Sequence, residues 1–318
     1  MKSNYSRTVH ACKKGLLTIH SRSKNPKDFS RKCCPCRRLR EKSCSCRVPL
    51  SKAAIMLLLQ KCFFTKIVFH MNLAGRLQQL LRSAAPKRYY FEDALITTHN
   101  HSFVDDPAFT NAYARGLKAA GGKDWHNRWR VYLALWVARM CSQIEGDFVE
   151  CGVNYGFTSS AIMQQLNWDR LGKKFWLIDS FAGIDAKQST EQEKALGAVE
   201  RSETNKRTGF YNSDAERCRA NFSEWKNAHV IEGWIPDCLN QVTSAKVAFM
   251  HIDLNAVVPE IEAFKYFRSK LSHGAFILLD DYAYSGADLT FAGWSKAAKE
   301  LNFEILALPT GQGLIHNP

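Results

Sequence analysis

The hydrophobic pattern becomes regular from residue 128 onward. Apolar residues recur at helical spacing through 128–144, and beyond this segment short apolar runs alternate with further segments of helical periodicity. The apolar runs predict strands at 147–151, 174–179, 229–232, 246–253 and 275–280. The periodic segments predict helices at about 158–166, 215–225, 259–271 and 290–301. Two last strands, at 303–308 and 311–315, flank a Pro-Thr-Gly turn.

This order of elements predicts the fold class. Strands that alternate with helices form a parallel sheet with helices on both faces, and the last two strands would add an antiparallel C-terminal hairpin. We therefore expect an α/β, Rossmann-like domain with a mostly parallel seven-stranded sheet at 146–318, preceded by a helical lead-in at 71–145. Ligands of such sheets bind beyond the carboxyl ends of the strands, so the candidate site lies where the strands end.

The first predicted strand ends in a glycine motif that runs from Glu150 to Gly156. A dinucleotide-binding fingerprint would need glycine where Asn154 and Phe157 stand, and a P-loop would end in Gly-Lys-Ser/Thr, so neither motif fits. An acidic residue followed by Gly152 and then Gly156 instead matches the first motif of class I S-adenosylmethionine methyltransferases. Glycines there allow the backbone to approach the methionine portion of the ligand. An ordinary tight strand-to-helix turn remains the alternative.

Acidic residues also end the second, fourth and fifth predicted strands. Asp179 ends the second strand and precedes Ser180, and a carboxylate in this place can accept both hydroxyls of a ribose. Asp253 ends the fourth strand, and Asp280 and Asp281 end the fifth. Adjacent strand ends would gather these three carboxylates into one negative cluster, whose oxygens suit Mg²⁺. Solvated acids at strand ends remain the alternative.

Residues from about 120 to 318 resemble the macrocin O-methyltransferase family, whose metal-dependent members methylate sugar hydroxyls of macrolide and aminocoumarin antibiotics. The shared motifs, in chain order, are Trp129-Arg130-Val131, Glu150-x-Gly152-x-x-x-Gly156, Asp179-Ser180-Phe181-x-Gly183, Gly233-Trp234-x-x-Asp237, His251-Ile252-Asp253, Gly274 through Asp280-Asp281-Tyr282, and Gly311-Gln312-Gly313. The resemblance implies a class I methyltransferase fold with S-adenosylmethionine and Mg²⁺ as cofactors. It implies that the cofactor is bound by Glu150, Gly152, Asn154, Gly156, Asp179 and Ser180, and the metal by Asp253, Asp280 and Asp281.

One position departs from the family's pattern. Sugar methyltransferases of this family often have Asp-x-Asp where this chain has Asp253-Leu254-Asn255, and the second Asp would be the general base. An asparagine amide cannot take up a proton. The candidate catalytic residues are therefore Asn255, at the position of the lost base, and His251 or His126 as substitute bases; alternatively, Mg²⁺ lowers the pKa of the acceptor hydroxyl enough for water to remove the proton. His251 alternates with buried strand positions, which also suits a structural histidine.

These residues together predict an O-methyltransferase, dependent on S-adenosylmethionine and Mg²⁺, that acts on a hydroxyl of a sugar-containing or other small-molecule natural product. The alternatives are a catechol-type enzyme with a small phenolic acceptor and a non-catalytic protein that binds S-adenosylmethionine. The expected partner is the small-molecule acceptor, and a homo-oligomer stays open. The polar segment 184–213 follows the strand that ends in Asp179 and predicts either a lid over the acceptor or a solvated insertion.

The first 70 residues differ from the rest in charge and cysteine content. They contain 17 Lys and Arg against 2 Asp and Glu, whereas residues 71–318 carry 27 basic and 28 acidic residues. The predicted domain is therefore not basic, and we do not expect it to bind nucleic acid. The segment suits a disordered tail or the product of a start assigned upstream of Met71, and also a cysteine-based metal arm, an RNA-binding arm or a transit sequence.

The cysteine spacing and the apolar run 53–69 bear on the cellular location of the protein. Seven of the 11 cysteines lie in residues 1–70, and the other four have no paired spacing, which indicates buried thiols in a reduced, cytoplasmic protein. The apolar run 53–69 is interrupted by Gln60, Lys61 and Lys66, so it is too short and too polar to span a membrane.

Overall fold

The computed structural model describes residues 89–318 and three short strands nearer the N-terminus. These strands are β1 (Ser6–Ala11), β2 (Leu17–Arg22) and β3 (Ser45–Cys46), which pair antiparallel in that order. The chain divides into two compact units, 1–81 and 82–318. The predictions for 1–70, and the first part of the predicted lead-in, fall largely outside the described residues and stay predictions.

The described part of the second unit opens with a β-hairpin. Its strands are β4 (Tyr90–Glu92) and β5 (Leu95–Thr97), which pair antiparallel. The two residues between them, Asp93 and Ala94, have φ angles of 50° and 60°. Two consecutive positive φ angles in a two-residue loop are typical of a type I′ turn, which joins strands tightly. Because neither residue is glycine, the sequence carries no obvious signal for this hairpin.

Two helices follow the hairpin. Helix α1 (Pro107–Ala119) begins at Asp106, whose carboxylate accepts hydrogen bonds from the backbone N–H groups of Ala108 and Phe109, and proline occupies the first helical turn. Helix α2 (Arg128–Cys141) corresponds to the periodic segment at 128–144. Its buried face packs towards the sheet and includes Val131, Leu135 and Ala138.

A seven-stranded sheet forms the centre of this unit. Its strands are β6 (Asp147–Cys151), β7 (Phe175–Asp179), β8 (Ala228–Glu232), β9 (Val247–Ile252), β10 (Leu271–Leu279), β11 (Leu306–Ala307) and β12 (Gly313–His316). They lie in the order β11-β12-β10-β9-β6-β7-β8. Strands β6 to β10 are parallel, and β12 pairs antiparallel with both β10 and β11. The predicted fold, a mostly parallel sheet with an antiparallel C-terminal hairpin, is confirmed.

Helices cover both faces of the sheet. The helices after β6 are α3 (Phe157–Leu166), α4 (Glu191–Ala195), α5 (Ala198–Arg207), α6 (Ala215–Phe222), α7 (Val257–Arg268) and α8 (Asp288–Leu301). Consecutive residues of a strand point to opposite faces. Phe148 of β6 therefore joins a buried cluster with α1, α2 and α3, whereas Val149 joins a second cluster with α7 and α8.

The structure differs from the predicted elements in several places. Strand β10 begins at Leu271, earlier than the predicted 275, and continues through Gly274. The C-terminal strands are shorter than predicted, and α6 ends at Phe222 rather than at 225. Helices α4 and α5 lie in the segment 184–213, where no helix was predicted, because few of their residues are apolar.

Two further findings concern the described residues. Cys141, Cys151, Cys218 and Cys238 are buried free thiols, as expected from their spacing. Within the described ranges, every helix is too short or too polar to cross a membrane.

Candidate active site

The carboxyl ends of the central strands meet at one edge of the sheet. The register pairs Cys151 of β6 with Ile252 of β9, and Ile252 with Leu279 of β10. The residues that follow these strands are consequently neighbours. Two adjoining cavities open at this edge and share a wall formed by Gly152, Asn154, Tyr211, Asp253 and Asn255.

The first cavity, here the glycine-loop cavity, lies over the ends of β6 and β7. Its walls include four of the predicted cofactor residues, namely Gly152, Asn154, Asp179 and Ser180. The other side is formed by Ile184, Gln188 and Trp234. A cavity with this position, beyond the carboxyl ends of parallel strands, is the usual ligand site of an open α/β sheet.

Two positions of the motif require glycine, each for a different structural reason. Gly152 has a φ of 91°, and a Cβ atom there would lie 1.8 Å from the carbonyl oxygen of Asp253. Gly156 has a φ of 80°, and its Cβ would lie 2.3 Å from the ring of Phe222. Glycine accepts both the backbone conformation and the close approach. Gly152 thus exposes backbone to the cavity. Gly156 instead allows the start of α3 to pack against Phe222 of α6, and it does not line either cavity.

Asp179 fixes the glycine loop to the end of β7. Its Oδ2 accepts hydrogen bonds from the backbone N–H groups of Val153 and Asn154, each at 2.8 Å, and its Oδ1 accepts one from Phe181 at 2.7 Å. Burial raises the pKa of Asp179, although these N–H donors oppose the shift. The neighbouring Ser180 hydroxyl accepts a hydrogen bond from the backbone N–H of Ala182 within its own turn.

Asn154 connects the glycine loop to the segment 184–213. Its Oδ1 accepts the backbone N–H of Asn212 at 2.8 Å, and its Nδ2 donates to the carbonyl of Phe210 at 3.2 Å. Asn154 lines both cavities, and its side-chain amide is hydrogen-bonded to the protein backbone.

The second cavity, here the acidic cavity, lies over the ends of β9 and β10. Carboxylate oxygens of Asp253, Asp280 and Asp281 lie within 4.8 Å of one another. Burial, and then the charges of Asp280 and Asp281, raise the pKa of Asp253 well above its ordinary value. Burial alone would raise the pKa of Asp280 too, but Arg130 and His251 lower it below its ordinary value. The three predicted metal ligands thus meet, as their strand positions imply.

Beneath this cluster, His251 is buried between two carboxylates. Its Nδ1 lies 2.7 Å from Glu150 Oε1, and its Nε2 lies 3.5 Å from Asp280 Oδ1. Burial alone would lower the pKa of His251, but its hydrogen bonds to Asp280 and Glu150 raise it to about 10. An imidazole with this pKa is protonated at neutral pH and donates from both nitrogens, which favours the structural role over that of a proton acceptor.

Glu150 is the buried carboxylate that contacts Nδ1 of His251. Its second carboxylate oxygen accepts a hydrogen bond from the hydroxyl of Ser159 in α3. Glu150 borders the acidic cavity rather than the glycine-loop cavity. Its contacts connect β6, α3 and β9.

Arg130 is a buried cation in the acidic cavity. Its Nη1 lies 2.6 Å from Asp280 Oδ2 and 3.0 Å from Asp281 Oδ1, and its Nε lies 2.6 Å from Asp93 Oδ2. Its guanidinium also lies 4.4 Å above the ring of Tyr284. The sequence indicates Arg130 only as part of a shared motif and gives no signal for Asp93 or Tyr284. A contact between residues 150 positions apart leaves no periodic signal.

The remaining catalytic candidates occupy different places. Asn255, with a φ of 56°, lines both cavities and donates from Nδ2 to Asp253 Oδ1 at 2.8 Å. His126 lies in the loop before α2, with Nδ1 3.4 Å from Asp124 Oδ2, and does not line either cavity. The structure therefore brings Asn255 to the site and leaves His126 outside it.

Aromatic side chains form the outer wall of the acidic cavity. They are Trp125, Tyr155, Phe157, Phe210 and Tyr211. Aromatic faces pack well against the apolar faces of ring-shaped ligands. Aromatic side chains and the acidic cluster thus line the same cavity.

The segment 184–213, here the lid, borders the glycine-loop cavity. One oxygen of Glu193 accepts hydrogen bonds from the backbone N–H and the hydroxyl of Thr190, both at 2.7 Å, which completes a capping box for α4. The other oxygen accepts the backbone N–H of Val257, the first residue of α7, at 2.9 Å. One carboxylate thus joins the lid to the helix that follows Asn255.

Comparison with known proteins agrees with this geometry. Residues 133–307 match the model of the macrocin O-methyltransferase (TylF) family. The chain belongs to this family. It is 26% identical over 146 residues to the 8-demethyl-8-(2,3-dimethoxy-alpha-L-rhamnosyl)-tetracenomycin-C 4'-O-methyltransferase of Streptomyces olivaceus, an alignment that covers 44% of this chain. The chain spans about half (54%) of the length of that relative.

A solved structure shows the same fold. The O-methyltransferase NovP superimposes with a TM-score of 0.54 and 14% sequence identity, over 69% of this chain and 99% of its own. At this identity the likeness concerns the fold of the macrocin-family chain.

Proposed function

We propose that this macrocin-family protein transfers the methyl group of S-adenosylmethionine to a hydroxyl oxygen of a sugar-containing or other small-molecule natural product. The observation that carries the proposal is the pair of adjoining cavities. One has a glycine-loop wall suited to a nucleoside, the other has an acidic cluster suited to a hydroxylated acceptor, and they share one wall. The tetracenomycin relative, named as a 4'-O-methyltransferase of a rhamnosylated compound, supports a sugar hydroxyl as the acceptor.

The glycine-loop cavity is the proposed cofactor site. Backbone at Gly152 and Asn154, with the side chains of Asp179 and Ser180, would bind the adenosyl and methionine portions. Glu150 and Gly156, also predicted to bind the cofactor, would act indirectly, because Glu150 contacts His251 and Gly156 packs against Phe222.

The residues of the acidic cavity fit a bound Mg²⁺ ion. Five carboxylates, those of Asp93, Glu150, Asp253, Asp280 and Asp281, surround the cations Arg130 and His251, so the formal charge of the group is negative. Burial, and then the charges of Asp280 and Asp281, raise the pKa of Asp253. Oxygen donors at this density are the ligands that Mg²⁺ prefers. When bound, Mg²⁺ would lower the pKa of the acceptor hydroxyl.

The chain's own groups would orient the reactants and exclude water. In the transfer, the carbon–sulfur bond breaks as the carbon–oxygen bond forms, the electron pair stays on sulfur, and the hydroxyl proton must leave. Asn255 cannot accept this proton, both ring nitrogens of His251 face the carboxylates of Glu150 and Asp280, and His126 lies outside the cavities. We therefore propose water in the acidic cavity as the proton acceptor. Positioning would supply most of the acceleration, because the sulfonium is already activated.

A catechol-type reaction is the second candidate function. The aromatic wall of the acidic cavity would stack a planar phenol as well as a sugar ring. Acceptor profiling separates the two: transfer of labelled methyl groups to glycosylated polyketides, and not to catechols, is expected.

Metal and cofactor sites can be tested separately in the same protein. Chelation of divalent cations, or Asp280→Asn, should abolish methyl transfer and leave S-adenosylmethionine binding largely intact, because these carboxylates lie in the acidic cavity. Asp179→Ala should instead weaken cofactor binding by about 1 to 3 kcal/mol, measured by calorimetry.

Three outcomes would contradict parts of the proposal. Full activity in excess chelator would remove Mg²⁺ from the reaction. Unchanged cofactor affinity in Asp179→Ala would place the ribose elsewhere. Binding of S-adenosylmethionine without turnover on any hydroxylated compound would favour a non-catalytic binding protein.

A further inference from the structure

Arg130 occupies the side of the acidic cavity where a metal ion would share its ligands. Its Nη1 contacts Asp280 Oδ2 at 2.6 Å and Asp281 Oδ1 at 3.0 Å, and it donates to the backbone carbonyl of Asp280 at 2.9 Å. The side chain is 7% exposed, so water screens its charge weakly. Two cations that use the same carboxylates repel each other, and most strongly in such a buried place.

A third carboxylate holds the other side of the same guanidinium. Asp93 Oδ2 lies 2.6 Å from Arg130 Nε, and Asp93 Oδ1 accepts the hydroxyl of Tyr284 at 3.1 Å. Tyr284 also stacks on the guanidinium. Arg130 therefore contacts both the acidic cluster and the pair formed by Asp93 and Tyr284.

The position of Asp93 is imposed by the hairpin. Asp93 and Ala94 both have positive φ angles, a conformation that residues other than glycine rarely adopt and that tends to persist at functional sites. The hairpin is anchored to the start of α2, since the Tyr90 hydroxyl accepts the backbone N–H of Trp129 at 3.1 Å and Glu92 pairs with Arg128. The tip consequently presents Asp93 to Arg130 in a fixed place.

We propose that Arg130 and the divalent cation compete for Asp280 and Asp281, and that Asp93 sets the outcome by holding the guanidinium at the hairpin. Arg130 is a positioning residue in this scheme. Without the ion it neutralises two carboxylates, and when the ion binds, Asp93 and Tyr284 retain the guanidinium. This inference rests on the metal site of the proposed function.

Competition predicts effects of opposite sign from two residues in direct contact. Arg130→Gln removes the competing charge and should bind the ion about tenfold more tightly. Asp93→Asn leaves the guanidinium with the acidic cluster as its one anionic partner and should bind the ion about tenfold more weakly. If both residues were merely structural, both variants would weaken binding, as loss of a supporting group around a metal costs about 10- to 100-fold.

The experiment measures Mn²⁺ binding by electron paramagnetic resonance, and Mg²⁺ binding by calorimetry, on the full chain without acceptor. Arg139→Gln is the matched control, because this exposed arginine of the same helix does not line the acidic cavity and should leave metal affinity unchanged. If Arg130→Gln does not fold, Arg130→Met replaces it. The methionine side chain is also uncharged, so this variant should likewise bind the ion more tightly than the wild type.

The results separate this inference from the metal site itself. Opposite shifts in Arg130→Gln and Asp93→Asn support it. A wild-type protein that binds divalent cations, with weaker or unchanged binding in the Arg130 variants, overturns the inference and leaves the metal site standing. A wild-type protein that binds neither Mn²⁺ nor Mg²⁺ overturns both.

Discussion

Glu260 is a buried carboxyl group that the proposed reaction does not use. It lies in α7 at 3% exposure and accepts a hydrogen bond from the indole N–H of Trp294 in α8 at 2.7 Å. Burial raises its pKa from 4.5 to about 8, against the lowering effect of Trp294 and with a further increase from the charge of Asp281. The folded protein therefore holds a proton on Glu260 at neutral pH, which the unfolded chain releases.

This difference makes stability depend on pH. Because the folded pKa is the higher one, the stabilisation is complete below pH 4.5 and is lost as the pH rises towards 8. The glutamine side chain in Glu260→Gln is uncharged, like the protonated carboxyl group. The variant therefore does not lose this stabilisation as the pH rises. Between pH 4.5 and 7 the free energy of unfolding of the wild type should fall by about 3 kcal/mol relative to the variant.

Urea unfolding of both proteins at several pH values measures the effect. Glu262→Gln, a more exposed acid of the same helix, is the control and should follow the wild type. Parallel stability curves for wild type and Glu260→Gln would show that Glu260 is ionised in the folded protein at neutral pH.

At the residue scale, the sequence predicted acids at strand ends and missed their partners. Asp179, Asp253 and Asp280 each follow an apolar run, and sheet register brings such positions to one edge. Arg130 and Asp93 come from a helix and a hairpin outside the sheet. Their contact depends on tertiary packing, which a single sequence does not encode as a local pattern.

At the scale of an element, the sequence likewise gives no clear signal for the helices of the lid. These helices, α4 and α5, are polar on most faces, and their stability depends on caps and on single buried groups such as Glu193 and Ser202. Helical periodicity of apolar residues, the signal that found the other helices, is therefore weak here. Ile184, Gln188 and Tyr211 line the glycine-loop cavity, so the segment forms part of the cavity wall, and its closure over a bound ligand stays a prediction.

Weakening the contact of Glu193 should loosen the lid and lower cofactor affinity. In Glu193→Gln one of the two acceptor oxygens becomes a donor, so a cap of either α4 or α7 is lost. A lost cap costs about 1 kcal/mol, and Kd for S-adenosylmethionine should rise roughly fivefold. Calorimetry measures Kd, and amide hydrogen exchange should accelerate within 184–213 while β6 and β9 stay protected.

The control for this change lies on the same helix. Glu191→Gln alters a side chain that is 90% exposed and paired with Lys194, so Kd and exchange should remain those of the wild type. Faster exchange in Glu193→Gln with unchanged Kd would show that the lid does not contribute to cofactor binding.

At the scale of the whole molecule, the excess of basic residues is confined to the first 70 residues. These carry 17 Lys and Arg against 2 Asp and Glu, whereas the proposed active site lies within residues 89–318. The basic character of the full chain, with a pI near 9.3, therefore belongs to its N-terminal unit and not to the proposed enzyme.

A chain that starts at Met71 should consequently keep its fold and cofactor affinity and lose its affinity for polyanions. We expect its Tm to lie within about 2 °C of that of the full chain, since the described core is retained. Only the full chain should be retained on heparin at low salt, because the segment 71–318 has 27 basic against 28 acidic residues. A fall in Tm of more than about 5 °C would mean that residues 1–70 contribute to the stability of the domain, and would revive the cysteine-based metal arm as an explanation of their composition.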